Sequence, residues 1–126
     1  MPHEALYDRL GQRDGLIRLV DTYLKILRTE PSVAELYSHY KHGLDHYRSR
    51  MIEYLSGYLG GPALYLQKHG LPMLREQHQR MKIDAHLRDL WYHCMVLALN
   101  ASIEDAELRQ ELEATFWTMA DSLRNA

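Results

Sequence analysis

The sequence predicts an all-α fold in one domain, and three observations carry that prediction. Apolar residues recur with helical spacing in four long stretches, and no run alternates apolar with polar for long enough to make a strand. Helix breakers separate the stretches at Pro31, at Gly60-Gly61-Pro62, and at Gly70 and Pro72. The chain of 126 residues has the usual size of one domain, so residues 1–126 are read as a single unit with one hydrophobic core.

The first long helix is expected from Asp14, read as its N-cap, with Leu16, Leu19, Val20, Tyr23, Leu24 and Leu27 on one face. Pro31 ends it, because a residue before proline is pushed away from helical backbone. A short helix over Pro31–Tyr37 and a loop over residues 38–44 follow. The second long helix starts near Asp45 and turns Tyr47, Met51, Tyr54, Leu55 and Tyr58 to one side, until Gly60-Gly61-Pro62 stops it. Residues 63–82 are broken into short pieces. Asp84 caps the third long helix, with Leu87, Leu90, Trp91, Cys94, Met95, Ala98 and Leu99 inward. Ser102 and Asp105 resemble a capping box that opens the fourth, which carries Leu108, Leu112, Phe116, Met119 and Leu123 on one stripe.

Composition excludes several classes. A net charge of −2 gives no broad field to draw in nucleic acid or an anionic membrane surface. The single cysteine, Cys94, forms no internal disulfide. The N-terminus lacks the basic-then-apolar run of a secretory signal, and no apolar stretch approaches the ~20 residues that span a bilayer. A cytoplasmic location is the expectation. Periodicity alone leaves an inert bundle or a helix-binding adaptor equally open.

Eight histidines are the candidate chemistry. His42 and His46, four apart, could share a helix face around zinc, but no acidic or thiolate residue at supporting spacing completes that site. No serine sits in a nucleophile elbow. His78 follows the break Gly70-Leu71-Pro72, with Leu74 on the same face four residues earlier and Met81 and Ile83 beyond. One imidazole in an apolar wall suits an iron porphyrin, which is itself large and apolar and needs one neutral nitrogen. On spacing alone, a hydrogen-bonded histidine beside the core remains the plainer reading.

Three segments change that balance. They are Tyr58-Leu59-Gly60-Gly61-Pro62-Ala63-Leu64-Tyr65, His69-Gly70-Leu71-Pro72-Met73-Leu74-Arg75-Glu76-Gln77-His78, and Arg88-Asp89-Leu90-Trp91-Tyr92-His93-Cys94-Met95. Together they resemble group II truncated haemoglobins, in order and with few gaps over most of residues 5–100. The resemblance implies a two-over-two helical sandwich around haem b, with His78 as the proximal iron ligand. It implies Tyr37 packing on the haem, Arg50 and Arg75 at its propionates, and Trp91 donating its indole N–H to a bound ligand. Met51, Leu74, Met81 and Ile83 complete the expected haem wall.

The departures bear on the distal side. An ungapped alignment puts Leu24 where relatives have a tyrosine, and Tyr23 roughly 100° around the helix. The loop before the second long helix is a few residues longer than the family's. The expected distal set is therefore Leu24, His46, Tyr47, Met51 and Trp91. The resemblance implies reversible binding of a diatomic gas (O₂, NO or CO) and a role in oxygen transport. The alternative is a haem-dependent redox enzyme, a nitric-oxide dioxygenase or peroxidase-like catalyst, with His46 as its acid or base. No flavin or nicotinamide motif is present, so an external electron donor or reductase is expected as a partner. A monomer or homodimer is expected.

Overall fold

The computed structural model describes residues 4–71 and 82–126. Among these, every regular element is helical: α1 (Leu6–Leu10), α2 (Gln12–Thr29), a 3₁₀ turn (Pro31–Val33), α3 (Ala34–Ser38), α4 (Leu44–Tyr58), α5 (Leu64–His69), α6 (Ala85–Ser102) and α7 (Ala106–Ser122). The four long helices form two pairs. α2 packs on α4, α6 packs on α7, and α2 against α6 joins the pairs. Leu16, Leu19, Val20, Tyr23 and Leu27 of α2 are all essentially inaccessible. Each large apolar side chain so buried contributes about 1.5–3 kcal/mol.

Two helix starts differ from the sequence reading. α2 begins at Gln12, before Asp14, because Gly11 turns the chain at φ 109° and leaves the helix no side-chain cap. Asp14 instead lies in the first turn, where a carboxylate meets the positive end of the helix dipole. At α7 the cap is Asp105, whose carboxylate accepts from the N–H groups of Glu107 and Leu108 at 3.0 and 3.2 Å. Ser102 closes α6 by donating to the Ala98 carbonyl at 2.7 Å. The Asp84 cap is as predicted, accepting from Leu87 N–H at 2.9 Å. Tyr58, expected inward, is 39% exposed and stacks on Tyr54.

α1, which periodicity did not reveal, folds over the end of α4. Tyr7 N–H donates to the Leu59 carbonyl at 2.9 Å, and the Tyr7 ring lies flat on Gly61. A Cβ at Gly61 would sit 2.5 Å from that ring, so only glycine fits. Between α2 and α4, Arg48 pairs with Asp21 at 2.7 Å on the surface.

Candidate functional site

A cavity of about 930 Å³ opens between α3, α4, α5, α6 and α7. It lies near the top of the roughly 300–1,000 Å³ range of cofactor pockets. Leu36, Met51, Leu55, Ile83, Leu87 and Leu123 make its walls largely apolar. Ile83 is fixed there by the C-terminus: Asn125 accepts from Ile83 N–H at 2.8 Å, and its own N–H donates to the Ile83 carbonyl at 2.9 Å.

The polar side chains gather in two places. One corner holds Tyr23, Tyr47 and Trp91. Trp91 Nε1–H donates to Tyr47 Oη at 3.2 Å, and the Tyr23 and Tyr47 hydroxyls lie 3.0 Å apart. The Tyr40 ring stacks on Tyr47 at 4.0 Å, and Tyr23 and Trp91 flank each other at 6.0 Å. Donor counting orders the protons. Indole is a donor only, so Tyr47 Oη accepts from Trp91. Tyr23 is fully buried, and Tyr47 is the one hydroxyl its Oη meets among the described residues. If Tyr23 accepted from Tyr47, its own proton would be stranded in the core at a cost of about 1–3 kcal/mol. Tyr23 therefore donates, Tyr47 oxygen takes two hydrogen bonds, and the Tyr47 proton is left for the cavity side, where the Tyr40 hydroxyl is its neighbour. Burial pushes the Tyr47 phenol up to about 12, against the lowering effect of its Tyr23, Trp91 and Tyr40 hydrogen bonds, so it stays protonated.

The second group lies at the cavity mouth. Arg50 lines the wall, and its Nη1 meets Glu53 Oε1 at 3.3 Å and His69 Nε2 at 2.5 Å. His69 Nε2 is also 3.0 Å from Glu53 Oε2, and Lys68 lies 3.7 Å from the same oxygen. Burial pushes the Glu53 carboxyl up, but His69, Lys68 and Arg50 together outweigh it and hold it below its ordinary value. His39, His42 and His46 also reach the wall, and all three are exposed. No group of three or more metal-ligating side chains occurs among the described residues, so the His42/His46 pair has no supporting ligands there.

Of the residues expected at the haem, Arg50, Met51, Ile83 and Trp91 line this one cavity, as do His46 and Tyr47 of the distal set. Leu74, Arg75, His78 and Met81 fall outside the described residues. Leu24 and Tyr37 are not in the wall: Leu24 is buried in the core, and Tyr37 packs half-buried against it. Tyr23 is also outside the wall, but its buried phenol reaches the polar corner from behind, through Tyr47. Trp91 directs its N–H to Tyr47 rather than into open cavity. Glu53 and Asn125 were not anticipated at all. Only the Arg50-to-Glu53 spacing, with a carboxylate set among Met51, Ile52 and Leu55, pointed to the first.

Paired helices around a largely apolar cavity, with Arg50 in its wall and phenols and an indole at one corner, define a protein able to enclose a large apolar cofactor with an anionic edge. Haem suits such a cavity in size and in chemistry. Residues 5–125 match the model of the bacterial-like globins. The group 2 truncated hemoglobin YjbI of Bacillus subtilis is 32% identical over 111 residues, 88% of this chain and 78% of that protein. A cold-adapted truncated hemoglobin from the Antarctic marine bacterium Pseudoalteromonas haloplanktis superposes with a TM-score of 0.91 at 35% identity, covering 98% of this chain and 99% of that one. The group II 2-on-2 hemoglobin of the plant pathogen Agrobacterium tumefaciens gives 0.90 at 31% identity, covering 99% and 97%. The chain belongs to the bacterial-like globins and, among them, to the group 2 truncated haemoglobins with the two-over-two fold.

Proposed function

We propose that this globin holds haem b in the cavity, with His78 as its proximal ligand, and binds a diatomic gas reversibly on the side where Tyr47 stands. The bound haem supplies an iron that takes one nitrogen from the protein and one gas molecule. The observation that carries the reading is the corner Tyr23–Tyr47–Trp91, which brings the Tyr47 hydroxyl to the wall of a largely apolar cavity. A fixed donor lowers the escape rate of a ligand that gathers negative charge, as O₂ does. Arg50 at the mouth suits one haem carboxylate, and Arg75 is assigned to the other on the resemblance alone. Met51 and Ile83 give apolar contact, with Leu74 and Met81 assigned the same role from sequence.

The redox-enzyme alternative gains no support from the site, since His46, the imidazole it requires, is exposed at the rim. No helix is long and apolar enough to cross a membrane among the described residues. A single domain over residues 1–126, a cytoplasmic location, an external electron donor and a monomeric or dimeric state complete the proposal. Absorption spectra of the ferric, ferrous and CO-bound protein test it. The expected result is stoichiometric haem with a CO complex. A colourless protein that does not take up added haem overturns it.

A further inference from the structure

Among the described residues Glu53 is one of two polar or charged side chains in the buried set, with 9% of its side chain exposed, yet it is part of no haem contact expected from the sequence. An isolated carboxylate there is costly to bury, and cations offset that cost. Its surroundings are cationic: Arg50 one turn earlier on α4, and Lys68 and His69 across the gap on α5. Tyr65, whose ring lies 4.9 Å from the His69 ring, and Arg50 both belong to the cavity wall. Among the described residues, one negative charge thus faces two permanent positive charges, and this group carries a net positive charge that an anionic cofactor edge would neutralise.

The contacts at Arg50 are one-sided. Glu53 and His69 both engage Nη1. Guanidinium carries five N–H donors in a rigid fork and accepts nothing. Nε and Nη2 meet no partner among the described residues. Their edge is the one that fits a carboxylate through two parallel hydrogen bonds. We propose that Glu53 is a positioning residue for cofactor retention: it anchors Arg50 by Nη1, together with His69, and keeps the Nε–Nη2 edge available to a haem carboxylate. The inference rests on the reading that Arg50 meets that carboxylate, and it adds the residue that holds Arg50 ready.

Haem release to excess apomyoglobin tests it, with the protein loaded either with haem or with haem dimethyl ester, in which both carboxylates are blocked. Arg50→Ala should speed release of haem about five- to tenfold, and Glu53→Gln about two- to fivefold, as partly exposed charged contacts allow. Neither change should alter release of the ester, and the double variant should release haem no faster than Arg50→Ala alone. Glu53→Asp, which keeps the charge but withdraws it from Nη1, should behave like Glu53→Gln and serves if that variant does not fold. Equal effects of Arg50→Ala on haem and ester sink the reading of Arg50 itself. A specific effect of Arg50→Ala with none at Glu53, or a Glu53 effect that persists with the ester, leaves Arg50 in place and overturns the role of Glu53.

Discussion

Replacing Tyr23 by Phe removes a single buried hydroxyl and reads the direction of the protons in the polar corner. The ring stays, so the packing of Tyr23 against Trp91 at 6.0 Å and Tyr47 at 6.2 Å is retained. A hydrogen bond from Tyr47 to a ligand that gathers negative charge is worth about 1.5–3 kcal/mol. Each neighbouring hydrogen bond strengthens it by roughly 10–30% through polarisation. With Tyr23 donating to Tyr47, its loss should cost about 0.2–0.9 kcal/mol and speed O₂ dissociation by a factor of about 1.3 to 5. Trp91→Phe removes the other donor to the same oxygen and should act in the same direction. Tyr47→Phe removes the donor itself and should speed dissociation about ten- to a hundredfold. Stopped-flow displacement of O₂ measures all three, and the C–O stretch of the CO complex reports the same donor independently. The sign is decisive at Tyr23. If Tyr47 instead donates to Tyr23, then Tyr23→Phe frees that proton and O₂ leaves more slowly. Slower release would refute the proton order argued from burial, while an unchanged rate in Tyr47→Phe would remove Tyr47 from the ligand altogether.

Other perturbations test separate parts of the site. His78→Ala should deprive the iron of its protein ligand and weaken haem retention; a wild-type ferrous spectrum in that variant would exclude His78. Leu24→Tyr should lower thermal stability by about 1–3 kcal/mol through overpacking and leave O₂ kinetics unaltered, because residue 24 is core and not cavity wall; slower O₂ release would place it at the ligand after all. His46→Ala should leave the ferric absorption spectrum unchanged, since that imidazole is exposed at the rim; a low-spin spectrum turning high-spin in the variant would make His46 a ligand. Glu53 is held below the ordinary value of about 4.3, so its ion pairs stabilise the fold above that pH and are lost as pH falls through the lowered value. The stability gap between wild type and Glu53→Gln in urea unfolding should therefore close in acid, and a gap that does not change with pH would contradict the shift.

The long helices were legible because each buries one stripe against a partner, and that stripe is a local property of the sequence. The same stripe explains the error at α2. Tyr23 and Leu24 are both inward and both buried, and which of them meets the polar corner is decided by where α4 lies, not by any pattern within α2. Caps were legible only where the side chain competes with nothing else. Asp84 stands alone before α6, whereas Asp14 lost its predicted role to a left-handed glycine three residues earlier. Arg50 was visible through resemblance, but its contact with His69 and the Lys68 pairing of Glu53 join residues 15 or more apart in sequence. The Ile83–Asn125 pair, 42 residues apart, is hidden from local reasoning for the same reason.

The two ends of α4 are tethered unequally. Its last turn is locked by Gly61 N–H to the Ser56 carbonyl at 2.8 Å, by Ser56 Oγ to the Pro62 carbonyl at 2.7 Å, and by Tyr7 lying on Gly61. Its first turn has no side-chain cap, and two neighbouring contacts tie it to α2: the Tyr47–Tyr23 hydroxyl pair inside and the Arg48–Asp21 ion pair at the surface. A pair of that kind contributes about 0–1 kcal/mol and weakens as salt screens it. Of these two ties, one lies in solvent and one in the corner of the cavity, a single residue apart on α4. Because Arg48 follows Tyr47 and Asp21 lies on the same helix as Tyr23, salt that weakens the surface pair is expected to act on the hydroxyl contact beside it. Raising ionic strength should loosen that contact and shorten ligand residence time, though no charge lies in the polar corner itself.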